Sequence, residues 1–100
     1  MQKQVKDFTQ KHNLNSNETT RYLDLVSEVG ELGKEIIKST NYGKTAFTTN
    51  PSIQEEIGDC IFSLLALCNT LGINAQEALN TAIEKYEHRF LQTQTISSGK

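Results

Sequence analysis

The stretch Ser52-Ile53-Gln54-Glu55-Glu56-Ile57-Gly58-Asp59-Cys60-Ile61-Phe62-Ser63-Leu64-Leu65-Ala66-Leu67-Cys68 decides the fold. Ser52 with Glu55 three residues later has the form of a capping box, which predicts a helix starting here. From Ile61 to Cys68 the helix is apolar almost all round, and Leu71-Gly72 ends it. A helix with so little polar face lies at the centre of a bundle or under another subunit. Its first turns nevertheless carry Glu55, Glu56 and Asp59. Acids at a helix N-terminus interact favourably with the dipole, and that accounts for Glu55. Asp59 sits a turn deeper, against Cys60-Ile61-Phe62, where an unpaired ionised carboxylate is costly to desolvate.

Upstream, Ser27-Glu28-Val29-Gly30-Glu31-Leu32-Gly33-Lys34-Glu35 repeats the theme on a helix predicted over 18–38. Leu25, Val29, Leu32 and Ile36 form its core-facing stripe, with Glu28, Glu31 and Glu35 on the flank. Glu28 with Glu31, and Glu56 with Asp59, are pairs one turn apart on one helical face. Two such pairs facing each other repel unless something positive sits between them. Hard oxygen donors without His or Cys suit Mg²⁺ or Mn²⁺. Magnesium also keeps waters and substrate phosphate oxygens among its ligands, which links the acids to a phosphorylated substrate. A di-iron bundle would need Glu-x-x-His, and neither His12 nor His88 follows a Glu by three. A charged surface or an intersubunit salt-bridge face without metal stays open beside the metal reading. Gly30, Gly33 and Gly58 lie inside the predicted helices, each costing about 1 kcal/mol relative to Ala. They imply close approach of a helix, a ligand or a hydrated metal.

Around this pair the chain is simpler. Val5 and Phe8 mark a short amphipathic helix over 2–12, ended by His12. Residues 40–51 read as a polar loop. Asn74 with Glu77 opens a fourth helix carrying Leu79, Ala82, Ile83, Tyr86 and Phe90. No stretch has strand periodicity, so the fold class is all-α: a small four-helix bundle over 1–91, with 92–100 as a polar tail expected to be frayed or disordered. One such domain barely encloses a site, so a homodimer or homotetramer built through the third and fourth helices is expected. Cys60 and Cys68 are eight residues apart on one helix, about 12 Å, too far for a disulfide, and read as core residues. A net charge of -2 gives no footprint for nucleic acid. No apolar run reaches the length of a membrane span and the N-terminus lacks a signal-peptide core, so a cytoplasmic location is expected.

The spacing Glu28-x-x-Glu31, 24 residues, Glu56-x-x-Asp59 resembles MazG-like nucleotide pyrophosphohydrolases, of the all-α nucleoside triphosphate pyrophosphohydrolase superfamily. Leu67-Cys68-Asn69-Thr70-Leu71-Gly72-Ile73 and Glu84-Lys85-Tyr86-Glu87-His88-Arg89-Phe90 are similar to family wording as well, so the resemblance spans 18–90. It implies that Glu28, Glu31, Glu56 and Asp59 ligate Mg²⁺, or Mn²⁺, and that Lys85 and Arg89 contact the triphosphate. Glu31 or Glu28 is the candidate for holding the attacking water, and Glu35 or Glu55 for acting behind the ligands or accepting the proton. The implied reaction is hydrolysis of a nucleoside triphosphate to monophosphate and pyrophosphate, with the same chemistry on phosphoribosyl-ATP as a near rival. A metal-free helical interaction module is the rival of another class. Ser27, His88 and Ile83 depart from the family pattern and bear on substrate choice more than on the metal.

Overall fold

The computed structural model describes residues 1–97. Its elements are α1 (Gln2–Lys11), α2 (Glu18–Lys38), α3 (Pro51–Leu71) and α4 (Ala75–Ser97), with no strand among the described residues. Helix boundaries follow local chemistry. The Asn17 side chain accepts from Thr20 N at 2.8 Å and starts α2. Asn50 accepts from Ser52 N at 2.9 Å, with Pro51 in the first turn, and starts α3. The cap of α3 is therefore Asn50 and not Ser52, because an Asn-Pro pair supplies both an acceptor and a preset φ. Gly72 ends α3 with φ 69°, a left-handed turn that favours glycine. Asn74 then accepts from Glu77 N at 2.9 Å, as the spacing predicts.

Helices α2 and α3 form the main packed pair, an antiparallel hairpin whose base is tied shut. Asn50 Nδ2 donates to Ser39 Oγ at 2.8 Å and Thr48 N to Ser39 O at 2.9 Å, across the twelve-residue connection 39–50. These bonds fix the register that sets Glu28 opposite the acids of α3. Helix α1 closes one side. Val5, Leu65 and Ala66 form its buried cluster, with Phe62 and Ala75 packed around them. Phe8 meets Phe62 edge-on at 5.8 Å, a favourable aromatic geometry. Gln2 staples α1 to the α3–α4 junction through Asn69, the Ile73 carbonyl and the Ala75 amide.

Helix α4 leaves this assembly. It departs from α3 at 102° and is exposed over most of 76–93, with Leu79, Ile83, Tyr86 and Phe90 between 46% and 59% accessible. The chain accordingly measures 53 × 39 × 21 Å with a radius of gyration of 17.7 Å, where a compact chain of this length has about 13 Å. So the four-helix bundle expected from the sequence is not closed by one chain. The stripe on α2 is corrected too: Val29 and Ile36 are exposed, and only Leu25 and Leu32 are half-buried. Of the polar tail expected over 92–100, residues 92–97 belong to α4, which runs to Ser97, and 98–100 lie outside the described residues. No single helix is long and apolar enough to cross a membrane.

Candidate active site

Three of the four acids converge. One carboxylate oxygen each from Glu28, Glu56 and Asp59 lies within 4.8 Å of the others, Glu28 from α2 and the rest from α3. Glu28 and Glu56 are half-buried and Asp59 is exposed, so the cluster opens to solvent on one side. Glu56 Oε2 is buried with no hydrogen-bond partner. Partial burial, then the charges of Asp59, Glu31, Glu28 and Glu35, push the Glu56 carboxyl above its ordinary value. The same surroundings reach Cys60, whose thiol is pushed up by burial and by Glu28, Glu56 and Asp59, so it stays protonated and is a poor nucleophile. Cys60 and Cys68 are both free and half-buried.

The donor set fits a hard divalent cation. Carboxylate oxygens only, three of them convergent, one buried and unpartnered, and an open side for water or phosphate match the preferences of Mg²⁺ or Mn²⁺. No cation of the chain takes that place: among the described residues the ion pairs are Lys3–Asp7 at 2.8 Å and Lys38–Glu35 at 3.4 Å. Mutual repulsion among three carboxylates, none of them in an ion pair among the described residues, is relieved by a bound cation or by protonation of Glu56.

The sequence of residues 16–92 matches the MazG nucleotide pyrophosphohydrolase domain. The chain belongs to that family. A Bacillus subtilis protein named "Uncharacterized protein YpjD" is 38% identical over 68 residues, 65% of this chain and 60% of that protein. The "Nucleoside triphosphate pyrophosphohydrolase" of Escherichia coli K12 is 31% identical over 72 residues, 72% of this chain and 27% of that protein. This MazG chain thus aligns with about a quarter of the length of the latter relative and three fifths of the former. No solved structure matches it.

The other predicted site residues divide into near and far. Glu31 is exposed and lies outside the convergent trio, although its charge acts on Glu56. Glu35 is half-buried and paired with Lys38, and Glu55 is exposed at the start of α3. Lys85 and Arg89 are exposed on α4 and flank one ring, Lys85 Nζ at 5.2 Å and Arg89 Cζ at 5.9 Å from the Tyr86 centroid. Neither pairs with a carboxylate among the described residues. A Cβ added at Gly30, Gly33 or Gly58 would meet nothing within 4 Å, so packing inside this chain does not require those glycines. Sequence reasoning missed Arg21. It lines a cavity of about 240 Å³ with Asp24, Ser27, Glu28, Phe62 and Ser63, directly beside the acid cluster. The signal was available: Arg21 precedes Glu28 by seven residues, two turns along the same helical face.

Proposed function

We propose that this MazG chain hydrolyses a nucleoside triphosphate between the α- and β-phosphates, releasing a nucleoside monophosphate and pyrophosphate. The observation that carries this is the convergence of Glu28, Glu56 and Asp59 around an unpartnered, buried carboxylate oxygen, in a chain of this family. Glu28, Glu56 and Asp59 would hold Mg²⁺, with Glu31 one turn along as a further ligand or water-holding residue. When bound, the metal neutralises phosphate charge and lowers the pKa of a bound water.

The chain's own residues supply the rest. The hairpin fixes the three carboxylates on two helices, so they need no reorganisation when substrate arrives. Glu31 and Glu35 follow Glu28 by one and two turns on α2, and Glu55 precedes Glu56 on α3; these three are the candidates to accept a proton from the attacking water. Lys85 and Arg89 are one turn apart on α4, a spacing that suits two cations to one pyrophosphate. Because α4 points away from its own acids, these cations serve a site completed by a second copy of the chain. The exposed apolar side chains of α4 and of α3, Ile61 and Leu64 among them, support a homodimer or a dimer of dimers.

A panel of canonical, deoxy and modified triphosphates, with phosphoribosyl-ATP included, assayed for pyrophosphate with and without Mg²⁺, tests the reading. Magnesium-dependent release of equimolar monophosphate and pyrophosphate is expected. Release that persists in EDTA, or in Glu56→Gln with Asp59→Asn, overturns it. No turnover and no metal-dependent rise in melting temperature would leave the helical interaction module as the better account.

A further inference from the structure

On the other side of Arg21 from the acid cluster lies a second cavity of about 250 Å³, between α1, the α1–α2 connection and α3. Its lining has the opposite chemistry. Lys6 and Arg21 are its charged residues, Gln10, Asn15 and Ser16 add neutral donors, and no Asp or Glu borders it. Arg21 is half-buried; a terminal guanidinium nitrogen donates to the Leu14 carbonyl, while Nε is buried with no hydrogen-bond partner. Arg21 also borders the cavity of Asp24 and Glu28, but an Arg held by a backbone bond, with an unanswered N–H and one adjoining cavity lined by no carboxylate, is arranged to receive an anion there.

We propose that Lys6 and Arg21 form a binding pocket for a phosphate group. The guanidinium supplies directional N–H donors and Lys6 a mobile point charge. Since Arg21 borders both cavities, the phosphate has two sources of one chemistry. It is either the outer phosphate of a nucleotide whose inner phosphates lie at Glu28, Glu56 and Asp59, or a free phosphate or pyrophosphate. The first source rests on the hydrolase reading; the pocket itself does not.

The test is calorimetric titration of the full chain, metal-free and at low ionic strength, with inorganic phosphate and then with pyrophosphate. Saturable binding is expected, weakened about tenfold by Lys6→Gln or Arg21→Gln, the loss typical of one charge-assisted hydrogen bond. Lys3→Gln makes the same change in net charge outside the cavity and leaves the affinity unchanged. Arg21→Gln removes the tie to Leu14 and can loosen the connection, so Lys6→Gln, an exposed position, decides the case provided its melting temperature matches the parent. Mono-, di- and triphosphates titrated with Mg²⁺ then separate the sources. A gain in affinity with each phosphate that disappears in Lys6→Gln identifies the nucleotide's outer phosphate. Nucleotide affinity indifferent to Lys6→Gln, with phosphate binding retained in Glu56→Gln, identifies a free anion. No saturable binding of either anion, or binding unaltered in Lys6→Gln, overturns the pocket, whatever the turnover assay gives.

Discussion

Helices α2, α3 and α4 have similar lengths, 21, 21 and 23 residues, but the α2–α3 hairpin has a buried core and α4, among the described residues, has none of its own. The hairpin closes in part, with Val29, Ile36, Ile61 and Leu64 still exposed. Its base is bonded through Ser39 and Asn50, its far half is covered by α1, and Leu65 and Ala66 are 6% and 3% accessible. Helix α4 touches that core at Ala75 and then projects at 102°, leaving Leu79, Ile83, Tyr86 and Phe90 in solvent. Exposed apolar side chains recurring along one helix mark a surface that another molecule covers. The three convergent acids therefore belong to one chain, and the candidate phosphate cations, Lys85 and Arg89, to a helix that packs little against it.

The largest expected effect lies in the hairpin. Glu56→Gln removes one of three convergent charges, so the metal-free protein should melt higher than the parent, because less repulsion is confined in the folded state. Mg²⁺ should raise the melting temperature of the parent and not of this variant, and pyrophosphate release should fall to background. Differential scanning fluorimetry with and without Mg²⁺, beside the turnover assay, reads all three. A metal-free Glu56→Gln that melts lower would break the claim that the cluster is strained without a cation.

Next in size is the break across α4. Leu79→Glu with Ile83→Glu should turn a sedimenting dimer or tetramer into monomer while leaving helix content and metal-induced stabilisation of the hairpin intact. Turnover should drop with dissociation. If the parent is already monomeric at assay concentration, the site is complete in one chain and the division between hairpin and α4 fails. Lys85→Gln and Arg89→Gln sharpen the same point: each should raise KM about tenfold, the scale of one lost charge-assisted hydrogen bond, without changing oligomeric state.

These contrasts also define what could be read from residues alone. The carboxylates of Glu28, Glu56 and Asp59 were legible because helical spacing is local geometry and their mutual repulsion demands an answer. The capping Asn74 and Gly72 were legible for the same reason. Helix α2 was misread where tertiary context decides. Val29 and Ile36 obey the spacing of a buried stripe, yet burial depends on what lies opposite, and within the chain nothing covers them. The direction of α4 was likewise invisible, since the short turn around Gly72 and Ile73 permits a bundle or a right-angled departure. Arg21 escaped notice because its seven-residue spacing to Glu28 is one that any solvated helix face carries; its meaning comes from the two cavities it borders once α1 and α3 are placed.

The smallest expected effect concerns the hairpin's base and separates two roles of one side chain. Asn50 accepts from Ser52 N as the cap of α3 and donates to Ser39 Oγ as the tie to α2. Asn50→Ala removes both; Ser39→Ala removes the tie and keeps the cap. Loss of a cap costs about 1 kcal/mol and loss of one neutral hydrogen bond about as much. Chemical denaturation should therefore find Asn50→Ala about 2 kcal/mol less stable than the parent and Ser39→Ala about 1 kcal/mol less stable. The double variant should be no worse than Asn50→Ala, because both single changes break the same tie. Metal affinity should fall in step with loss of the tie, since that bond sets the register of Glu28 against Glu56 and Asp59. Equal metal affinity in the parent and in Ser39→Ala would mean that helix packing along α2 and α3, and not the bonded base, aligns the acids.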